Sequence, residues 1–540
     1  MVEVWSKLVE EARERRERQI PEEYRIPQGL LPSPKTKDVS PFVAESGLMS
    51  EQELDITNTS LVDLITDISQ KKWSALDVTK AYCKRAAYAQ QLVNCLSEMM
   101  FDQAIQRAKE LDEYYEREGK LFGPLHGVPV SIKDQHNIKG AVISVGYVKW
   151  STDVSTFDAS LVSLLRDLGA VIYCKTSVPL GMMSSETETR LWGRTTNPTN
   201  RDLGVGGSSG GEGALLQFGG SPIGIGSDIG GSIRFPCAFN GLYGLKGTSN
   251  RFPIAGTRSG LYGQAHISSI IGPMARDAES LEYFAKIVYN SNPTAYDMNC
   301  LPIPWREPQL PEKLSFGVLR YDGICRVTPP VQRALDMTIE AVKKAGHEVI
   351  EWEARNVSDM CHYIETFFAA DGGKFIVENM DGEPPLENQK WLFEQFDDVP
   401  SSKIWEMQRG RAELCKQTID QWKETSKQTF SGRQIDGIIS PSAVVPSHPH
   451  QSPTYLGYTS YWNAVDFPCA SFPVTTVNQD LDGKPADFTP TSDREKKMWD
   501  SYEVHECKDG FVGLQVICPK YEDERAIVLA KIVSKTLTLT

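Results

Sequence analysis

A glycine-rich stretch at residues 204–236, GVGGSSGGEGALLQFGGSPIGIGSDIGGSIRFP, constrains this chain more than any other part of its sequence. It contains 12 of the 42 glycines, and five serines, in a chain of 540 residues. Apolar runs at residues 214–218 and 222–225 interrupt the glycines, so the stretch is unlike a flexible Gly/Ser linker. Glycines that alternate with apolar runs bring backbone close to another group, and the question is which group that is.

Two nucleotide-binding patterns do not fit this stretch. A phosphate-binding loop requires G-x-x-x-x-G-K-[ST], but the first lysine after the glycines is Lys246. A dinucleotide fingerprint requires G-x-G-x-x-G, and Ile229 stands where the third glycine belongs after Gly224 and Gly226. The G-x-S-x-G pattern of a nucleophile elbow is present at residues 206–210. It needs a downstream histidine, and the six that follow give no means of choosing one.

Ser232 is a second candidate nucleophile, on different physical grounds. The segment Asp228-Ile-Gly-Gly-Ser-Ile-Arg234 follows a strand-like run at residues 222–226. Consecutive glycines can direct backbone N–H groups to one point, and such a nest just before a serine suits an oxyanion hole. The same spacing fits a tight turn after a strand in which Ser232 merely caps the turn, so the pattern leaves both interpretations open.

Composition and charge exclude several other classes of protein. The formal net charge of −14 gives a nucleic acid no electrostatic attraction, and the basic cluster at residues 494–497 predicts a solvated loop. No window approaches 18 consecutive apolar residues, and the charged N-terminus does not resemble a secretory signal. Eleven cysteines without a C-x-x-C pair favour reduced thiols, so we expect a cytoplasmic protein. His448 and His450 lie in a Pro-rich loop with no third ligand nearby, and we expect no metal and no cofactor.

The order of helix and strand patterns predicts an α/β fold. Residues 1–75 are expected to form an accessory layer of a charged helix, a Pro-rich stretch and further helical segments. From residue 121, strand-like runs such as 128–132 and 171–173 alternate with helical patterns such as 159–168. This alternation predicts a mixed, mostly parallel sheet covered by helices on both faces, in one large catalytic domain at residues 76–540.

Three motifs in the central part of the chain resemble those of one enzyme family. Residues 206–211 and 228–234 are similar to the signature block of the amidase signature family, and residues 127–134 are similar to its lysine motif. The separations are also similar, at 75 residues from Lys133 to Ser208 and 24 from Ser208 to Ser232. Three motifs in order at such spacing are a far more specific signal than any one alone.

Further stretches resemble the acetamidase and general amidase branch of that family, which is found in fungi. They are residues 83–87, 90–95, 111–115, 123–127, 175–179 and 192–198. The resemblance covers nearly the whole chain and implies the amidase signature fold. Its least familiar segment, residues 482–508, is interpreted as a surface insertion.

The resemblance implies a mechanism in which Ser232 is the nucleophile, Ser208 the bridging serine and Lys133 the terminal base. A serine hydroxyl needs a base to accept its proton as it attacks a carbonyl carbon. Lysine is a base only when neutral, so its pKa must fall by about three units from roughly 10.4, which burial can achieve. The family places a cis peptide bond before the bridging serine, so we expect one between Gly207 and Ser208.

The resemblance also implies three groups of accessory residues. The expected oxyanion hole consists of the backbone N–H groups of Ile229, Gly230, Gly231 and Ser232. The expected supports of the serine loops are Gly207, Ser209, Ser227, Asp228 and Arg234. The expected substrate contacts are Met182, Met183, Tyr147, Trp192 and Tyr461, although methionine and aromatic residues are more often part of an apolar core.

We therefore predict an amidase that cleaves small carboxamides to a carboxylic acid and ammonia through an acyl-enzyme. The alternative within the family is hydrolysis of aryl or indole acetamides, or of fatty amides, although the charged N-terminus does not resemble a membrane-facing helix. Alternatives of another class are the amidase subunit of a tRNA-dependent amidotransferase and a non-catalytic scaffold. The expected partner is a small amide substrate, with no nucleic acid and no membrane, and a homodimer is left open.

Overall fold

The computed structural model describes residues 4–390 and 397–538, which contain 17 α-helices. The first nine are α1 Val4–Arg18, α2 Phe42–Glu45, α3 Glu51–Asn58, α4 Leu61–Ser69, α5 Ala75–Val93, α6 Phe101–Glu118, α7 Ser160–Asp167, α8 Gly210–Gln217 and α9 Arg234–Asn240. The others are α10 Ala278–Asn290, α11 Pro329–Lys344, α12 Val357–Phe368, α13 Lys374–Met380, α14 Ser401–Glu424, α15 Gly457–Ala464, α16 Asp493–Asp500 and α17 Asp523–Thr538. Serines cap several of them; Ser74, for example, accepts from the N–H of Asp77 at the start of α5.

Thirteen β-strands lie in the same residues. They are β1 Leu96–Met99, β2 Pro129–Lys133, β3 Val171–Thr176, β4 Glu188–Thr189, β5 Gly193–Arg194, β6 Gly224–Asp228, β7 Tyr243–Lys246, β8 Ile270–Ala275, β9 Ser315–Val318, β10 Glu348–Glu351, β11 Gly437–Pro441, β12 Cys469–Thr476 and β13 Phe511–Ile517. Eleven form one sheet in the order β1-β3-β2-β6-β8-β7-β12-β13-β11-β9-β10. Strands β4 and β5 pair separately.

The sheet is mixed, as predicted, but it contains fewer parallel pairs than expected. Four pairs of neighbouring strands are parallel, namely β3–β2, β2–β6, β11–β9 and β9–β10. The other six are antiparallel, and five of them fill the centre of the sheet from β6 to β11. One physical reason is the loop at residues 247–269 between β7 and β8, because a connection without a crossover helix allows antiparallel pairing.

Strand β2 shows how both faces of the sheet are covered. Successive side chains of a strand point to opposite faces, so Val130 and Ile132 lie on one face and Ser131 and Lys133 on the other. Val130 and Ile132 join the main core cluster with residues of α7, α10 and α17. Ser131 instead donates to Glu212 on α8. Helices therefore lie on both faces, as the sequence predicts.

Most elements predicted in the α/β region are present near their predicted positions. The runs at 128–132 and 171–173 overlap β2 and β3, and the helical pattern at 159–168 contains α7. The segment at residues 482–508 needs a correction, because its basic cluster lies on α16 rather than in a solvated loop. The segment is also anchored to the core, since the buried carboxyl groups of Asp482 and Glu495 pair with arginines of other elements.

The N-terminal segment packs directly against the rest of the chain. Helix α1 lies against Leu191 and Trp192, and Arg16 donates to the carbonyl oxygen of Leu96 at 2.8 Å. Phe42, near the end of the Pro-rich stretch, joins the same core cluster as α5 and α8. The division into a layer at 1–75 and a catalytic domain at 76–540 stays a prediction. Across residues 4–390 and 397–538, no helix combines the length and the apolar character needed to cross a membrane.

Candidate active site

Three parallel strands bring the predicted lysine to the two serine loops. Lys133 is the last residue of β2, its register partner on β3 is Thr176, and β6 ends at Asp228. The carboxyl ends of neighbouring parallel strands meet at one edge of the sheet, which is where ligand sites of open α/β sheets form. Ser208 lies just before α8 and Ser232 just before α9. The chain thus places both serine loops at this edge.

The Lys133 side chain is fully buried and is held by two serine hydroxyls. Its Nζ lies 2.8 Å from Ser208 Oγ and 2.8 Å from Ser227 Oγ. Ser227 donates its own proton to Gln135 Oε1 at 2.5 Å, so it accepts a hydrogen bond from the lysine. A neutral lysine amine then keeps its lone pair for the Ser208 hydroxyl. Gln135 was not among the predicted site residues, although it lies two positions after the lysine.

Burial lowers the pKa of Lys133 far enough for a large fraction of the amine to be neutral near pH 7. Loss of water around the amine lowers the pKa of Lys133 from 10.5 to about 7, against the opposing effects of Asp228 and Glu212. Among the described residues, no carboxylate lies within salt-bridge distance of this amine. Lys175 is equally buried, but it pairs with Asp134 at 2.9 Å. The two lysines therefore differ in their partners rather than in their burial.

Ser209 ties the two serine loops together. Its N–H donates to the carbonyl oxygen of Ser232 at 3.1 Å, and its hydroxyl bonds to the backbone of Ser227 in both directions. The peptide bond between Gly207 and Ser208 is cis, as expected from the resemblance. A Cβ atom at Gly207 would lie 2.5 Å from the carbonyl oxygen of Ser184, so glycine is needed for this close approach.

Asp228 and Arg234 form a buried support beneath the second loop. The carboxylate accepts from Nη2 and Nε of Arg234 at 2.9 and 3.0 Å. Burial alone would raise the pKa of Asp228, but the Arg234 charge and several hydrogen bonds outweigh it and hold this pKa below its ordinary range. Asn463 donates to Asp228 at 2.9 Å and Gln515 accepts from Arg234 at 3.2 Å. Sequence patterns could not reveal these two, since they lie 235 and 281 residues from their partners.

The loop after β6 presents backbone amides to the site, with one correction to the expected set. The N–H of Gly231 donates to Asp228 Oδ1 at 2.9 Å, so it is already engaged and is not a free oxyanion donor. The N–H groups of Ile229, Gly230 and Ser232 donate to no other group in the part of the chain that is described. These three amides remain the candidates for an oxyanion hole.

Ser208, Ser227 and Ser232 line a single cleft, which encloses about 270 Å³ including its open mouth. Its other lining residues are Gly181, Met182, Met183, Ile229, Ser259, Leu261 and Ser269. Both predicted methionines thus reach the cleft. Ser259, Leu261 and Ser269 were not predicted, because they lie in the loop between β7 and β8, which carries no periodic pattern.

Three predicted substrate contacts do not line this cleft. Trp192 packs against α1 and donates to Ser144 Oγ at 3.0 Å. Tyr461 borders a separate cavity that Gly457 and Trp462 of α15 also line. Tyr147 is buried behind Gly181, where a Cβ atom would lie 2.6 Å from the tyrosine hydroxyl, so it supports the wall without lining it. The reason is general: large aromatic side chains gain most from burial in an apolar core, and residue type alone does not separate core from pocket.

The family comparison agrees with this architecture. A family model described as Amidase matches residues 77–527, and the chain belongs to that family and is an amide hydrolase. Acetamidases of Aspergillus oryzae and Emericella nidulans are each 36% identical to it, over 544 and 548 residues, and each alignment covers 99% of both chains. A solved structure of a fatty acid amide hydrolase has a TM-score of 0.92 and 31% identity, and covers 99% of this chain and 95% of that chain.

Proposed function

We propose that the protein hydrolyses small carboxamides to a carboxylic acid and ammonia, with Ser232 as nucleophile, Ser208 as bridging serine and Lys133 as base. One observation carries the proposal: the buried Lys133 amine, whose pKa is about 7, lies 2.8 Å from Ser208 Oγ at the cleft that Ser232 also lines. A serine becomes nucleophilic only when a base takes its proton, and this arrangement supplies one.

In the proposed acylation step, Ser232 Oγ attacks the carbonyl carbon of the amide while its proton passes to Ser208 Oγ and the Ser208 proton passes to Lys133 Nζ. The carbonyl electron pair moves to oxygen, where the amides of Ile229, Gly230 and Ser232 stabilise the negative charge. The C–N bond then breaks, and a proton returns from Lys133 through Ser208 to the nitrogen, which leaves as ammonia.

Deacylation uses the same residues. A water molecule attacks the ester on Ser232 and gives up its proton through Ser208 to Lys133. The C–O bond to Ser232 breaks, the proton returns to Ser232 Oγ, and the carboxylic acid leaves. Every proton taken up is thus returned within one cycle, and no external co-reactant other than water is needed.

The lining of the cleft favours small substrates. Met182, Met183, Ile229 and Leu261 give it an apolar part that suits a short acyl chain. The two acetamidases support the same substrate class, whereas the likeness to a fatty acid amide hydrolase favours long-chain amides as the second candidate.

Ammonia release from a graded amide series tests the proposal. The series runs from acetamide through hexanamide, benzamide and indole-3-acetamide to a long-chain fatty amide. Ser232→Ala is the blank, and Ser268→Ala, an exposed serine outside the cleft, is the matched control. We expect activity in wild type and the control, none in the blank, and the highest kcat/KM with short acyl chains.

Several outcomes would overturn the proposal in whole or in part. Full activity in Ser232→Ala, or a fluorophosphonate adduct on another serine, would remove Ser232 as the nucleophile. No ammonia from any amide with wild-type protein would instead favour an amidotransferase subunit or a scaffold. A preference for the fatty amide would replace the substrate class but keep the mechanism.

A further inference from the structure

Glu212 is a buried carboxyl group beside the lysine that the proposed mechanism does not use. It lies in the first turn of α8 and has no exposed surface. Its two oxygens accept from Ser131 Oγ at 2.6 Å and from Thr176 Oγ1 at 2.9 Å. Both donors are neutral, and across the described residues no cationic group lies within salt-bridge distance of this carboxyl. Glu212 is thus held by hydrogen bonds without a neutralising partner.

The two donors place Glu212 next to Lys133. Ser131 lies two residues before Lys133 on β2, so both side chains point to the same face of the sheet. Thr176 is the register partner of Lys133 on β3. On the remaining side, a Cβ atom at Gly224 of β6 would lie 2.2 Å from Glu212 Oε2. Strands β2, β3 and β6 therefore confine the carboxyl group on the face that carries the lysine.

Most other ionisable groups around the pair keep one charge state near neutral pH. Burial raises the pKa values of Cys95, Tyr173 and Cys174, so these groups stay neutral. Burial lowers the pKa of His136 to about 3, so its ring is uncharged. The remaining acidic and basic neighbours form two ion pairs, Asp228–Arg234 and Asp134–Lys175, each at 2.9 Å.

Glu212 is therefore the carboxyl group beside Lys133 that has no cationic partner within salt-bridge distance in the described residues. Burial raises the pKa of Glu212 to about 8, while its hydrogen bonds and Lys133 oppose that rise. Its charge changes in the same pH range as that of the lysine. Two groups that interact in this way titrate as a pair, and the charge of one depends on the proton of the other.

We propose that Glu212 is a positioning residue that acts through Lys133, and that its charge sets the lower limit of the pH range in which the enzyme works. The inference rests on the proposed function. A charged Glu212 stabilises the protonated lysine, so the lysine loses its proton only at higher pH. Without that charge the lysine becomes a base at lower pH, and the acidic limb of the rate profile moves with it.

The test compares pH profiles of kcat/KM for wild type and Glu212→Gln with the best amide substrate. We expect the midpoint of the acidic limb to move to lower pH by up to about one unit in the variant, since an opposite charge close by shifts a pKa by ~1–3 units and the Glu212 carboxyl, with a pKa of about 8, is charged only part of the time in this range. Glu383→Gln is the matched control, because Glu383 is also a buried carboxyl with a raised pKa, of about 7, and accepts from Val148 elsewhere in the fold. Its acidic limb should coincide with that of wild type.

Further measurements test the inference if Glu212→Gln does not fold or if wild type cleaves no amide. If Glu212→Gln does not fold, Ser131→Ala removes the 2.6 Å hydrogen bond that favours the charged carboxylate, and it should move the limb in the same direction by less. An acidic limb that stays in place while kcat falls would show a purely structural role and overturn the inference, with the proposed function intact. If wild type cleaves no amide, the proposed function fails. NMR titration of ¹³Cε-lysine-labelled protein, with Lys133→Met for assignment, then gives the same comparison without substrate.

Discussion

Replacing Lys133 by methionine should abolish amide hydrolysis and yet stabilise the fold at neutral pH. The wild-type amine is fully buried, and its pKa falls from 10.5 to about 7. At 1.36 kcal/mol per pKa unit, that difference corresponds to about 5 kcal/mol of unfavourable free energy when the amine must be buried at neutral pH. Methionine has a similar length and no charge, so it removes this term. It also removes hydrogen bonds to Ser208 and Ser227, each contributing about 1 kcal/mol, which leaves a net gain of about 3 kcal/mol.

The gain in stability from Lys133→Met should become smaller as the pH rises. Between pH 7 and 10.5 the unfolded chain keeps a proton on Lys133 that the folded protein has lost, so the stability of wild type rises with pH in this window. Above it, the folded and unfolded states hold the same number of protons on this group. The advantage of Lys133→Met is therefore largest below about pH 7, is still large at pH 7, and disappears by pH 10.

Urea unfolding of wild type and Lys133→Met at pH 7 and pH 10 measures both effects. Lys175→Met is the matched control, since Lys175 is equally buried but paired with Asp134, and its loss leaves a buried carboxylate without a partner. That control should be less stable than wild type at both pH values, by about 3–5 kcal/mol. A Lys133→Met protein that is less stable than wild type at pH 7, or whose advantage does not change with pH, would refute the reasoning.

Two further predictions concern the support of the second loop and the corrected position of Trp192. Asp228→Asn leaves Arg234 buried without its carboxylate, so we expect the free energy of unfolding to fall by about 3–5 kcal/mol and kcat to fall at least roughly tenfold. Asp482→Asn is the control, because it breaks an ion pair with Arg333 outside the cleft. It should lower the free energy of unfolding in urea without changing kcat. Equal losses of kcat in both variants would contradict the role of Asp228 as a support of the catalytic loop. Trp192→Phe should leave the order of preference among amides unchanged. Limited proteolysis within α1 should become faster, because the indole packs against that helix and is itself fixed by its hydrogen bond to Ser144. A changed acyl-chain preference in that variant would show that Trp192 does contact the substrate.

The local parts of the site could be predicted from sequence because short motifs encode them. Gly207 allows the close approach at Ser208, and Gly211 packs where a Cβ atom would lie 2.4 Å from the Ser177 nitrogen. Such contacts leave a visible pattern of glycines in the chain. The lysine motif likewise ends a strand, so its position at the sheet edge follows from the alternation of strands and helices.

The remaining parts depend on contacts between distant segments, and no local pattern reports them. Asn463 and Gln515 reach the buried ion pair from α15 and β13, which only the complete sheet brings near β6. The proportion of antiparallel strand pairs could not be predicted from the sequence either, because it depends on which strands become neighbours in the sheet. The hydrogen bond from the Gly231 amide to Asp228 is a different case, because it joins two residues of the same motif and not two distant segments. A glycine nest predicts donors but does not say which of them a nearby carboxylate already holds.

The two buried charge systems of the site have opposite effects on stability, and this difference explains why the proposed base is Lys133. The Asp228–Arg234 pair is held by bidentate contacts and by Asn463, so its charges are satisfied and its pKa values are fixed away from neutrality. Lys133 has only neutral hydrogen-bond partners among the described residues, and its proton is consequently weakly held. A group that must exchange protons near neutral pH has to be left without a full counter-charge, because a close carboxylate would restore its ordinary pKa or raise it further. The stability that the protein loses by burying Lys133 is therefore inseparable from the reactivity of that amine. A variant at this position that regains the stability should lose the activity.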